Sequence, residues 1–205
     1  MGNSGGRTVT WSTKTLKEFQ DALASSDPTP GGGSAAAVAL GQAAALAVMV
    51  SELTLAKESL SGGWSISEHV RSVAEPFLKT GLELATSDSD AFDAVVASFR
   101  LPRETDEDKG KRRDAIRLAT LGAAEVPYQT ATSALQLLRL LPKLAAKGNP
   151  NAASDVMARY WRMTGHDVLH PIGTHLVCLQ NNLLSKQVHN PGTLPRRIFP
   201  ISNAN

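Results

Sequence analysis

Only one cysteine, Cys178, occurs in 205 residues, so no intrachain disulfide and no cysteine-built zinc site can form. A single thiol suits a reducing compartment, and the expected location is cytoplasmic. A net charge of +2 gives no broad field for nucleic acid. The first ten residues hold Gly, Ser and one Arg but no apolar core, which argues against a secretory signal. The most apolar run, Ala35 to Val50, is 16 residues long and contains Gln42, short of the roughly 20 a membrane span needs. Neither a nucleic-acid nor a membrane partner is expected.

What is present is helix. Thr15-Leu16-Lys17-Glu18 matches a capping box, and Leu16, Phe19 and Leu23 then give one apolar face. The loop Asp27-Pro28-Thr29-Pro30-Gly31-Gly32-Gly33-Ser34 follows, with almost no side-chain bulk. Ser34 stands where an N-cap is expected, ahead of a long helix to about Lys57. That helix is apolar on nearly all sides and should be surrounded by others. Ala37, Gly41, Ala44 and Ala45 allow close approach. Gly62-Gly63 breaks the chain. Ile66, Val70, Val73, Phe77 and Leu82 mark another helix, kinked or restarted at Pro76, and 90–100 continues helical. Thr105 caps a further helix with Asp106, Glu107 and Asp108 in its first turn; Pro127 is expected to interrupt it. Gly148 reads as a stop and Pro150 as a first helical position. With no strand pattern in 12–155, the class is all-α, a helical bundle.

The last fifty residues differ. Five bases face one acid, Asp167; alanine nearly vanishes, and four of the five histidines lie there. Two readings are open: an ordinary irregular tail, or translation in a shifted frame. His166 and His170 are four apart, but Pro171 follows at once, so no metal site is expected. The expected organisation is a flexible arm over 1–11, a helical domain over 12–155 and a divergent tail over 156–205.

Six segments occur in order: 28–37 (Pro-Thr-Pro-Gly-Gly-Gly-Ser-Ala-Ala-Ala), 53–57 (Leu-Thr-Leu-Ala-Lys), 88–95 (Asp-Ser-Asp-Ala-Phe-Asp-Ala-Val), 99–102 (Phe-Arg-Leu-Pro), 123–127 (Ala-Ala-Glu-Val-Pro) and 147–155 (Lys-Gly-Asn-Pro-Asn-Ala-Ala-Ser-Asp). The set resembles the formiminotransferase-cyclodeaminase C-terminal family, also called the cyclodeaminase/cyclohydrolase family. The resemblance covers about residues 13–155 and is lost after Asp155. It implies an all-helical homodimer acting on a folate that carries a one-carbon unit, with no metal or redox cofactor. Two activities are implied: cyclisation of 5-formiminotetrahydrofolate with loss of ammonia, or hydrolysis of 5,10-methenyltetrahydrofolate to 10-formyltetrahydrofolate. No formiminotransferase domain precedes these residues in the chain, which favours the hydrolase.

Both reactions pass through a tetrahedral carbon, and the methenyl form is a cation, so a carboxylate is the expected partner. Asp88, Asp90 and Asp93 are candidates. Asp88 also reads as an N-cap and Asp93 as a solvated residue. Asp90 and Asp155 are the expected catalytic groups. Gly31, Gly32, Gly33 and Ser34 are expected to line the pocket, with Lys57 reaching a substrate carboxylate and Asn149 and Asn151 reading the pterin edge. Bland roles compete: Asn149 as a cap beside Pro150, Lys57 as a dipole partner, Glu125 as an exposed acid, and the glycines as a packing seam. The alternative to an enzyme is a catalytically impaired folate-binding or scaffolding protein.

Overall fold

The computed structural model describes residues 9–156, and among them there are helices and no strand. The α-helices are α1 (Leu16–Leu23), α2 (Gly32–Leu55), α3 (Trp64–Phe99), α4 (Asp106–Leu138) and α5 (Leu141–Lys147). Short 3-10 turns occupy Trp11–Thr13, Glu58–Gly63 and Pro150–Ala152. The divergent tail beyond Val156, with its histidines, lies outside the described residues.

The local signals at the starts of α1 and α4 hold. Thr15 and Glu18 form the capping box of α1, and Thr105 and Asp108 form one at α4. Two proline expectations do not. α3 runs unbroken through Pro76, and α4 through Pro127. Both prolines are exposed, so the carbonyl each leaves unpaired lies toward water, while neighbours on the inner face keep their packing.

α2 and α3 form a long antiparallel pair whose register is fixed at three levels. Ser34 meets Asp88, Gly41 packs on Gly81, and the Glu52 carboxylate accepts from Arg71 at 2.9 Å. At the middle level no side chain intervenes. A methyl group on Gly81 would lie 2.8 Å from both the Ala37 carbonyl oxygen and the Gly41 nitrogen. Ala37 and Ala44 are buried there as expected, whereas Ala45 is exposed.

The inner face of α2 runs through Ser34, Ala37, Leu40, Ala44, Ala47, Ser51 and Thr54, all buried. The inner face of α3 runs through Val70, Ala74, Phe77, Gly81, Leu84 and Asp88. α4 packs mainly on α3, and Leu137, Leu141 and Leu144 close the core near α5.

The expectation that α2 is surrounded is not met among the described residues. Ala39, Gln42, Ala45, Met49 and Leu53 are exposed, and 44% of its most apolar stretch is buried. By length and composition alone α2 is long and apolar enough to cross a membrane. Its inner face is that of a core helix, studded with bonded hydroxyls: Ser51 Oγ donates to the Ala47 carbonyl at 2.8 Å and Thr54 Oγ1 to Val50 at 2.8 Å.

Candidate active site

The Pro/Gly loop delivers the chain into α2 with no side-chain cap. Gly31 is the N-cap, and Ser34 sits two residues inside the helix. Contrary to the expectation from its position, Ser34 therefore does not cap α2. Its side chain points across to α3, where Oγ donates to Asp88 Oδ2 at 2.8 Å and lies 3.1 Å from Ser89 Oγ. Nor is Asp88 an N-cap: it lies deep within α3.

The Asp88 carboxylate is seated on Gly33. A methyl group at Gly33 would lie 2.6 Å from the carboxyl carbon and 2.7 Å from Oδ2, so a side chain there would displace the acid from this seat. This negative charge sits at the first turn of α2, where backbone N–H groups lack helical partners and the dipole is positive. The triple glycine and the acid thus form one unit.

Asp93, one and a half turns on, is exposed but not merely solvated; it accepts from Thr29 Oγ1 at 3.2 Å and ties the loop to α3. Asp90 lies about 200° around the helix from Asp88 at roughly 100° per residue, and about 60° from Asp93. It is exposed, and partial burial followed by repulsion from Asp93 raises its pKa above the usual carboxylate value. It is Asp88, though, that the fold brings onto the glycine turn, not Asp90.

Trp11, at the edge of the expected flexible arm, is buried. Its ring meets Phe19 edge-on at 5.3 Å, and its backbone N–H donates to Thr86 Oγ1 at 3.0 Å. Its indole Nε1–H donates to Ser89 Oγ at 3.0 Å. Trp11 also lines a groove of about 370 Å³ between the N-terminal segment, α2 and α3, together with Phe19, Val38, Gly41, Leu78 and Leu82.

The remaining expected residues lie at the other end of α2, about 30 Å away at 1.5 Å per residue. Asn149 is buried, and its backbone N–H donates to Thr54 Oγ1 at 2.9 Å. Its side-chain Oδ1 accepts from the Asn151 N–H at 3.1 Å, and Nδ2 donates to the Leu53 carbonyl at 3.4 Å. Both ends of this amide serve the chain itself: Asn149 caps the turn that begins at Pro150 and docks it on the end of α2. Asn151, Asp155, Lys57 and Glu125 are exposed. Lys57 leads into the Glu58–Gly63 turn, and its carbonyl accepts from Trp64 Nε1 at 3.3 Å. Within one chain, then, Asp155, Lys57 and the asparagines do not share a pocket with Gly31–Ser34.

This docking gives a stability prediction. Thr54→Val removes the acceptor of a buried N–H, and a thermal melt should show a loss of about 1–3 kcal/mol, largely restored by Thr54→Ser. Equal loss in both variants would show that packing, not the hydroxyl, holds the turn.

Among the described residues, no cluster of three His, Cys, Asp or Glu is arranged to hold a metal ion.

Residues 15–161 match the family model described as formiminotransferase-cyclodeaminase. A methenyltetrahydrofolate cyclohydrolase from Methylorubrum extorquens is 37% identical over 142 residues, covering 69% of this chain and 68% of that protein. A formimidoyltransferase-cyclodeaminase from Rattus norvegicus is 30% identical over 145 residues, covering 69% of this chain but only 26% of the rat protein. The crystal structure of a formiminotetrahydrofolate cyclodeaminase from Thermotoga maritima superposes with a TM-score of 0.60 at 26% identity, covering 87% of this chain and 88% of that one.

Proposed function

Because the chain belongs to the formiminotransferase-cyclodeaminase family, we propose that it is a folate one-carbon enzyme and, of the family's two reactions, that it hydrolyses 5,10-methenyltetrahydrofolate. The observation that carries this reading is the Asp88 carboxylate seated on Gly33 and bonded to Ser34 at the mouth of α2. Methenyltetrahydrofolate is a cation delocalised over N5, the bridging carbon and N10. A fixed carboxylate beside a bare backbone turn attracts that charge and leaves space for a flat ring.

In the forward reaction water adds to the bridging carbon, forming the C–O bond and releasing one proton to a carboxylate. The hydroxyl of the neutral adduct then loses its proton, N5 gains one, and the C–N5 bond breaks to leave the formyl group on N10. One proton is released overall. Asp88 holds the charge of the bridge. Asp90, exposed about 200° around α3 from Asp88, is a candidate only for passing that proton on to solvent.

The open face of α2, through Ala39, Gln42, Met49 and Leu53, supports a homodimer. Two copies with their α2 helices antiparallel would bring the glycine turn of one to the Asn151–Asp155 end of the other. In that arrangement Lys57, Asn151 and Asp155 join the pocket from across the interface. The protein is read as cytoplasmic and independent of metal or redox cofactors, acting on neither nucleic acid nor membrane.

Loss of methenyltetrahydrofolate absorbance tests the reading, with ammonia release from 5-formiminotetrahydrofolate measured in parallel. Hydrolysis well above the uncatalysed rate is expected. Ammonia release with no hydrolysis would favour the second reading, a cyclodeaminase, to which the likeness to the Thermotoga maritima structure points. Binding without either turnover would leave a scaffolding protein.

A further inference from the structure

Asp88 is not held by α3 alone. It ends a buried chain of donors that begins on the N-terminal segment: Trp11 Nε1 to Ser89 Oγ at 3.0 Å, Ser89 Oγ to Ser34 Oγ at 3.1 Å, and Ser34 Oγ to Asp88 Oδ2 at 2.8 Å. Ser34 is fully buried, Ser89 is 4% exposed and Trp11 is 8% exposed, so water does not substitute for these links.

The two ends fix its direction. An indole nitrogen can only donate, and an ionised carboxylate can only accept. Ser34 spends its one proton on Asp88, so the Ser34–Ser89 link takes its proton from Ser89. The competing acceptor for Ser89, the Ala85 carbonyl, is farther away at 3.4 Å. The chain therefore points from Trp11 to Asp88, and such links strengthen one another when they end on a charge.

We propose that Trp11 and Ser89 are positioning residues for the reaction at Asp88: they orient Ser34 so that its hydroxyl holds the Asp88 carboxylate on the glycine turn. Neither touches substrate. Trp11 lies 77 residues from Asp88 in sequence, and it makes the placement of the N-terminal segment a condition for the site. The inference rests on the folate reading above.

The test uses the full chain and steady-state hydrolysis of methenyltetrahydrofolate. Trp11→Phe keeps the ring against Phe19 and removes only the donor; Ser89→Ala removes the relay. Each should lower kcat about fivefold with KM nearly unchanged. Because both act through one chain, the double variant should fall no further than either single variant. Ser89→Thr should keep most of the activity. A lowered melting temperature with kcat unchanged would overturn the proposal, as would full additivity of the two losses.

A second measurement does not need turnover. In the ligand-free protein the Trp11 indole N–H resonance should shift on Ser34→Ala and on Asp88→Asn. No shift in either would overturn the chain. If the wild type turns over neither folate, the functional reading fails, while this resonance still decides whether Trp11 is linked to Asp88.

Discussion

Asp88→Asn is expected to lower kcat on methenyltetrahydrofolate by about 10²–10³-fold, the scale seen when a preorganised electrostatic partner is removed from a transition state. The amide has nearly the same shape and still accepts from Ser34, so the seat on Gly33 survives and the melting temperature should change little. What is lost is the negative charge beside the developing adduct. Asp90→Asn, about 200° around the helix by the standard turn, should cost much less than Asp88→Asn. The reverse order would place the chemistry on the Asp93 side of α3. An unchanged kcat in Asp88→Asn would remove the carboxylate from the mechanism altogether. A matched melt and rate measurement on the two variants separates these outcomes.

The largest stability effect is expected at the middle of the α2–α3 pair. Gly81→Ala gains roughly 1 kcal/mol of helix propensity. It also places a methyl group 2.8 Å from two backbone atoms of α2, which cannot turn aside as a side chain would. Overpacking of this kind costs about 1–3 kcal/mol and at times more, so the net change should be a loss, read as a fall of about 2–4 °C in Tm for each kcal/mol. Gly122, inside α4, is the control. Nothing lies within 4 Å of a methyl group there, and Gly122→Ala should raise stability by up to about 1 kcal/mol. The opposed signs are the check, since propensity alone predicts a gain at both positions. Activity should fall with stability in Gly81→Ala, because opening the crossing also separates Ser34 from Asp88.

Much of this arrangement was legible in the sequence, and the misreadings have specific physical causes. The capping boxes at Thr15 and Thr105 were readable because each is settled within four residues. The glycine turn was readable because only a helix start makes sense of Gly31 to Ser34 before an alanine-rich run. Asp88 was passed over because it read as an N-cap ahead of a helix from about residue 90, whereas it lies inside α3. With α3 continuous, its inner stripe passes from Val70 through Ala74, Phe77, Gly81 and Leu84 at spacings of three and four and arrives at Asp88. The matching stripe on α2 arrives at Ser34. Two polar residues at the ends of two core stripes are a sequence signal that they meet. The link from Trp11 to Ser89 had no such signal, because a contact across 78 residues depends on where a short 3-10 turn is laid down. Asn149 fell between: its position before Pro150 marked a cap, and the cap consumes both ends of its amide.

The most direct test of the central claim is a crystal structure with tetrahydrofolate bound. The account predicts that N5 and N10 lie beside the Asp88 carboxylate with the pterin against Gly31–Ser34. Folate bound with both nitrogens remote from Asp88, and no contact to the glycine turn of either copy, would contradict it.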